Sequence, residues 1–315
     1  MKIVILDAGT LGEDVSLSPL QALGDVEAFS ATAPKDIPAR ISACDVVIQN
    51  KARITAAALA AAPRLRLICE AATGYDNIDL TAARSRGVAV CNVPGYSTPS
   101  VVQVTVATVL SLATHLPSYT EHVRSGAYTT GGAANRLTPV YHELSGLTWG
   151  IVGYGSIGQR VGAVARAFGC HVLYTRAHPS SDAACVPLEE LCRRADIITL
   201  HTPLSDATRG LIGAREIALM KPGVILVNEA RGAVTDAAAV AAALENGHIG
   251  ALGADVYSAE PFGENHPFYA IRERENVCLT PHMAWGSFEA RTRCVSTMAE
   301  NIAAFFRGER KNRVD

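Results

Sequence analysis

Thr148-Trp149-Gly150-Ile151-Val152-Gly153-Tyr154-Gly155-Ser156-Ile157-Gly158-Gln159-Arg160-Val161 decides how the rest of this chain is read. It runs from a short apolar strand through a glycine turn into the start of a helix. Gly153, Gly155 and Gly158 stand at G-x-G-x-x-G spacing. The first glycine permits the tight turn, the second lets backbone approach a pyrophosphate, and the third lets the helix pack on its strand. The helix N-terminus then offers free N–H groups to the anion. The motif alone carries little in a chain with 26 glycines. Its flanks decide the matter, with an apolar strand before it and Val161, Val164, Ala165 and Phe168 at helical spacing after it. The stretch predicts a dinucleotide site opened by Gly153, Gly155, Ser156, Ile157 and Gly158.

Working outward, short apolar runs recur at residues 172–174, 197–200, 224–227, 251–253 and 277–279, with helical stretches between them. The N-terminal part repeats the logic at residues 3–6, 46–48, 65–69 and 88–91, with Ala-rich helical stretches at 55–62 and 80–86. Continuous apolar strands alternating with helices predict parallel sheets covered on both faces. At 315 residues the chain is long for one core. The expected architecture is therefore α/β, with two doubly wound parallel-sheet domains. Val93-Pro94-Gly95-Tyr96-Ser97-Thr98-Pro99 is the best linker and opens a helix predicted over residues 100–116 that is apolar nearly all round. A last helix over residues 287–306 is expected to return to the first domain. This assigns 1–98 with 287–315 to one domain and 99–286 to the other, with His282 near the second crossing. Residues 118–145 are the least readable and suit a protruding arm or a subunit contact.

The composition excludes several classes. A formal net charge of −2 gives no field to attract nucleic acid or an anionic membrane. No apolar run is long enough to span a bilayer, and Lys2-Ile3-Val4-Ile5-Leu6 is strand-length rather than a signal segment. The eight cysteines are scattered, with no C-x-x-C pair, which predicts buried thiols in a reducing cytoplasm and no metal site.

Three segments fall just beyond strands of the second half, where open α/β sheets bind ligands: Asn228-Glu229-Ala230-Arg231-Gly232, residues 253–261, and Thr280-Pro281-His282-Met283-Ala284-Trp285. They supply Arg231, Glu260 and His282. An arginine can hold a carboxylate bidentately and polarise the adjacent carbonyl. A histidine can protonate the resulting alkoxide, and a nearby carboxylate fixes its tautomer. Taken singly, Arg231 reads as a salt-bridge partner, Glu260 as a loop carboxylate and His282 as a cap. Their shared position at strand ends beside a dinucleotide loop favours the chemical reading.

The segments Ala72-Thr73-Gly74-Tyr75-Asp76-Asn77-Ile78-Asp79, the glycine loop, Ala230-Arg231-Gly232, residues 253–261 and Pro281-His282 together resemble the D-2-hydroxyacid dehydrogenase family, over nearly the full length. Leu6-Asp7, Asn50-Lys51, Ala72-Thr73-Gly74 and Met283-Ala284-Trp285 most resemble its glycerate dehydrogenase, or hydroxypyruvate reductase, branch. The resemblance implies a Rossmann-type cofactor domain plus a flavodoxin-like substrate domain. It implies Arg231 on the substrate's carboxylate and carbonyl, His282 as proton donor and Glu260 orienting it. It further implies Asp255 on the nicotinamide carboxamide, Thr202 and Pro203 beside the adenosine, and backbone N–H groups at Thr73 and Gly74 on the substrate carboxylate. Lys51 and Trp285 are further substrate-side candidates, and a cytoplasmic homodimer paired through the cofactor domains is implied. Formate dehydrogenase relatives carry glutamine where Glu260 stands, and glutamine cannot support an imidazolium donor.

Two departures stand out. Val104 occupies a position where the family often has histidine. Tyr174-Thr175-Arg176 follows the second strand of the cofactor domain, where NAD-type members place an acidic residue. With no acid until Asp182, Thr175 and Arg176 predict NADP over NAD. The leading expectation is a reductase of a small 2-oxoacid such as hydroxypyruvate or glyoxylate. The alternative is a nucleotide-sensing corepressor-like binding protein on the same fold.

Overall fold

The computed structural model describes residues 1–178 and 180–315. The chain divides into two compact units, Met1–Ser97 with Trp285–Asp315, and Thr98–Ala284.

The first unit is built on a five-stranded sheet of order β2-β1-β3-β4-β5, with β1 Lys2–Ile5, β2 Asp25–Ala28, β3 Val46–Gln49, β4 Leu67–Glu70 and β5 Ala89–Cys91. All pairings are parallel. The runs Val-Val-Ile-Gln and Leu-Ile-Cys-Glu are buried at every position, as expected of central strands covered on both faces. β2 is absent from the strands expected above. Asp-Val-Glu-Ala is mostly exposed at the sheet edge, so it carries no apolar run to read. The Phe288–Phe306 helix buries Cys294, Val295, Met298 and Ile302 against the strands of this unit, and Ser287 caps it by accepting from the Ala290 N–H.

The second unit holds a six-stranded sheet of order β11-β10-β9-β8-β6-β7, again all parallel. Its strands are β6 Thr148–Val152, β7 His171–Thr175, β8 Ile197–Leu200, β9 Val224–Asn228, β10 Ile249–Ala254 and β11 Val277–Leu279. Chain order reverses between β6 and β8, which opens a ligand crevice at the carboxyl ends of these strands.

The helix expected over residues 100–116 runs from Thr98 to Ala113 and stops there. His115 takes a left-handed backbone (φ 52°), and Pro117 lies in the first turn of a separate helix, Leu116–Arg124, bent 67° from the first. The Thr98–Ala113 helix packs on β9, β10 and the Ser156–Ala167 helix. The approach is close, because a Cβ on Gly253 would lie 2.4 Å from Thr108 Cγ2. After a short helix, Ala127–Thr130, the chain runs irregularly to β6 and leaves Leu137, Val140 and Tyr141 exposed. No single helix among the described residues is long and apolar enough to cross a membrane. All eight cysteines are free thiols, six of them buried, with Cys185 and Cys278 half-buried.

Candidate active site

The glycine loop has the geometry that a pyrophosphate requires. Gly153 sits at φ +93°, and a Cβ there would lie 2.7 Å from the His201 carbonyl and the Thr202 amide nitrogen. A Cβ on Gly158 would meet the Gly153 carbonyl oxygen at 2.3 Å, so helix and strand can pack only without it. A Cβ on Gly155 would meet no protein atom within 4 Å, which leaves its backbone open to a ligand. Gly155 is the N-cap of the Ser156–Ala167 helix, and among the described residues no side chain caps it, so the first-turn amides of Ser156, Ile157 and Gly158 have no side-chain acceptor there. Thr202, half-buried, and Pro203, exposed, follow β8 on the other side of the reversal. His201 lies in the same turn with both ring nitrogens shielded and without a hydrogen-bond partner among the described residues. Burial pushes its imidazole down to about 3, so it is neutral.

At the end of β7, Thr175 is half-buried and Arg176 exposed. Tyr174 stacks on Tyr154 with ring centroids 3.7 Å apart and directs its hydroxyl to Asp182 Oδ2 at 3.0 Å. The Ala184 N–H donates to Asp182 Oδ1 at 3.0 Å. The Ala184 amide, then the tyrosine hydroxyl, hold this exposed carboxyl below the usual range. The nearest acid after β7 is therefore engaged within its own loop.

A histidine–carboxylate pair comes from the segments after β10 and β11. His282 Nδ1 lies 2.6 Å from Glu260 Oε2, and Glu260 Oε1 accepts from the Tyr257 N–H at 3.1 Å. Both side chains are partly exposed, at 22% and 28%. Nδ1 is thereby turned to the carboxylate, which orients the imidazole ring. His282 adopts φ +53° in a tight turn, its N–H donating to the Thr280 carbonyl at 3.0 Å.

Asp255 holds this turn. It is 1% exposed, and Oδ1 accepts from Thr280 Oγ1 (2.6 Å) and the Met283 N–H (2.8 Å), while Oδ2 accepts from the Ala284 N–H (2.8 Å). Most of its accepting capacity is therefore spent on the histidine turn, a role the sequence does not announce. Arg231 follows β9, with Nη1 on the Ala230 carbonyl at 2.8 Å and its own carbonyl accepting from Asn228 Nδ2 at 3.0 Å. A Cβ on Gly232 would lie 2.0 Å from the Tyr257 carbonyl carbon, so only glycine lets the arginine loop approach the glutamate loop. Glu229, not singled out from the sequence, is 8% exposed at the base of this cluster. Burial and then the charge of Asp255 push its carboxyl up to about 8.

Lys51, Thr73, Gly74 and Trp285 belong to the first unit. Asp7 organises the Lys51 segment, accepting from the backbone N–H groups of Asn50, Lys51 and Ala52, while the Lys51 side chain is exposed. Thr73 is tied down through Oγ1 to the Val93 carbonyl (2.9 Å) and through its carbonyl to Asn92 Nδ2 (2.8 Å). Trp285 packs edge-to-face on Tyr96, centroids 6.2 Å apart, at the margin of the core of this unit. At the end of β4, three residues before Thr73, stands a second acid that the sequence reading passes over. Glu70 is fully buried and accepts from Gln49 Nε2, and burial raises its carboxyl well above the usual range.

A glycine loop at the reversal of a doubly wound sheet, with a histidine–carboxylate pair at the strand ends of the same sheet, defines a nicotinamide-nucleotide-dependent oxidoreductase. The family model described as D-isomer specific 2-hydroxyacid dehydrogenase, NAD binding domain, matches residues 106–284. The chain is 33% identical to a hydroxypyruvate reductase of Blautia hydrogenotrophica across 100% of both chains. It is 39% identical to a glyoxylate reductase of Aeropyrum pernix, covering 82% of this chain and 78% of that one. A solved acyclic imino acid reductase in complex with NADPH and D-Arg is 27% identical, with a TM-score of 0.89 over 100% of both chains. The chain belongs to the D-isomer specific 2-hydroxyacid dehydrogenase family and is an NAD(P)-dependent, hydride-transferring enzyme.

Proposed function

We propose that this dehydrogenase reduces a small 2-oxoacid, hydroxypyruvate or glyoxylate, with NADPH preferred over NADH. The observation that carries the reading is the 2.6 Å contact of His282 Nδ1 with Glu260, made in the unit that bears the glycine loop. When bound, the cofactor supplies the hydride. The first-turn amides of Ser156, Ile157 and Gly158 would hold its pyrophosphate, and Thr202 and Pro203 would border its adenosine. Asp255 would accept from its carboxamide with the capacity left on Oδ2.

Arg231 grips the substrate carboxylate and polarises the carbonyl. His282 delivers the proton to the new alkoxide from Nε2, while Glu260 fixes the tautomer and stabilises the imidazolium. In the first unit we assign Lys51, Thr73, Gly74 and Trp285 to substrate contact, with the backbone N–H groups at Thr73 and Gly74 on the carboxylate. The names of two relatives, hydroxypyruvate reductase and glyoxylate reductase, support the substrate class.

The NADPH preference rests on the exposed Arg176 beside Thr175 and on Asp182, which Tyr174 and Ala184 keep occupied. A carboxylate beside the ribose would repel a 2′-phosphate, whereas a guanidinium can pair with it. The NADPH bound to the imino acid reductase shows that a similar chain accepts this cofactor. Exposed Leu137, Val140 and Tyr141 suit a homodimer paired through the second unit. A screen of 2-oxoacids with NADH and NADPH, read by loss of reduced-cofactor absorbance, tests the reading. Turnover of hydroxypyruvate or glyoxylate with NADPH is expected. No turnover with either acid, or faster turnover with NADH, overturns it.

A further inference from the structure

Glu229 is a buried acid with no part in the proposed reaction. It follows β9 directly, two residues before Arg231, and it is 8% exposed. Its Oε2 is shielded from solvent and has no hydrogen-bond partner among the described residues. Its Oε1 has Thr108 Oγ1, on the Thr98–Ala113 helix, only at the 3.5 Å limit of a hydrogen bond. A buried carboxylate lacking firm donors is strongly disfavoured, and one oxygen without a partner calls for an explanation.

The groups around it are known. Thr108 faces it from the helix, Asp255 and Tyr257 from the segment after β10, and Cys278 from β11. None of these is a cation. Asp255 is the carboxylate whose three accepted hydrogen bonds fix the turn carrying His282. Burial first, and then the charge of Asp255, disfavour the ionised form of Glu229. The donors converge on Asp255, and Glu229 receives almost none.

We propose that Glu229 is a positioning residue that acts as a neutral acid: while it carries its proton, Asp255 keeps the histidine turn in place, and when it ionises the turn is released. The proposal rests on the assignment of His282 as the acid–base group. Reduction requires His282 protonated, so activity in that direction falls at high pH for two superimposed reasons. Oxidation requires His282 neutral, so activity there rises with pH, and any fall at higher pH belongs to another group. The oxidative direction therefore isolates Glu229.

The experiment measures kcat for oxidation of D-glycerate by the full-length enzyme with NADP+ from pH 6 to 10, for wild type, Glu229→Gln and Glu229→Leu. Wild type is expected to rise and then fall about a midpoint near 8. Two units above that midpoint only ~1% of Glu229 stays protonated, so kcat falls toward ~100-fold. Glu229→Gln, a permanently neutral mimic, should match wild type at pH 7 and lack the fall. Glu229→Leu should lack the fall too, whatever its absolute rate.

A second readout needs no turnover. In the apoenzyme, the glutamate Cδ resonance that Glu229→Gln removes should titrate near pH 8, and the His282 ring resonances should shift with it in wild type but not in Glu229→Gln. A descending limb that survives both substitutions overturns the proposal. So does a Glu229 resonance that titrates below pH 6, or His282 resonances that ignore it. Absence of D-glycerate oxidation overturns the functional reading instead, and the resonance titration then decides the case for Glu229.

Discussion

Asp255→Asn is a small change in shape with a large expected effect. The carboxylate accepts from Thr280 Oγ1, the Met283 N–H and the Ala284 N–H, all within 2.8 Å and almost fully buried. Hydrogen bonds to a charged group contribute ~1.5–3 kcal/mol each and neutral ones ~0.5–1.5. An asparagine oxygen can still accept two of the three at the neutral value. Its NH2 then faces the third donor, and stranding that donor costs ~1–3 kcal/mol. The sum is a loss of roughly 3–6 kcal/mol, which for a unit of this size lowers Tm by about 6–24 °C. Because the freed turn carries His282, kcat should fall as well. A ~1 Å misplacement of a reacting group can cost about 10²-fold. Thermal unfolding by circular dichroism and steady-state reduction of hydroxypyruvate on the same preparation measure both effects. A Tm within 2 °C of wild type together with unchanged kcat would refute the assignment of Asp255 as the anchor of the turn.

Other substitutions probe other links. Arg176→Asp should raise KM for NADPH by at least about tenfold and improve NADH relative to it, since a charged hydrogen bond of ~1.5–3 kcal/mol is at stake; an unchanged ratio in cofactor kinetics removes Arg176 as a phosphate reader. Glu229 has a folded pKa of about 8, raised above its unfolded value, so the native state keeps a proton that the unfolded chain has lost. Stability should therefore fall as pH rises from ~4.5 to 8, by up to about 4 kcal/mol. Glu229→Gln should raise Tm more at pH 8 than at pH 5, and equal gains at both would contradict the linkage. Gly232→Ala places a Cβ 2.0 Å from the Tyr257 backbone and should distort the Arg231 and Glu260 loops together, with a fall in kcat/KM of at least ~10²-fold. An alanine enzyme with wild-type kinetics would show that the two loops need not touch.

The sheets are legible in the sequence because their central strands are β-branched runs bounded by turn residues. Val46–Gln49 and Ile197–Leu200 announce themselves in this way, whereas Asp25–Ala28 does not, because an exposed edge strand has no need of an apolar pattern. The break at His115 is equally silent. The residues on either side of it keep a helical pattern, and only the left-handed backbone at one position separates two helices. In the candidate site, Arg231, Glu260 and His282 are readable as chemically able side chains at strand ends. The contact between His282 and Glu260 is a fact of loop geometry that spacing does not supply. How Asp255 distributes its lone pairs is a tertiary matter, since its three donors lie 25 to 29 residues away. Glu229 does leave a trace, an acid placed directly after an apolar strand. Its meaning depends on Thr108 and Asp255 being its neighbours, which no local pattern encodes.

The central claim is that His282 is the proton donor, and His282→Asn tests it most directly. Reduction of hydroxypyruvate with NADPH should be measured for wild type and variant, alongside the NADPH Kd from cofactor fluorescence on the same samples. A positioned general acid contributes ~10²–10⁴-fold, so kcat is expected to drop by that factor with Kd nearly unchanged. A variant that binds NADPH normally and turns over within a few-fold of wild type would contradict the account.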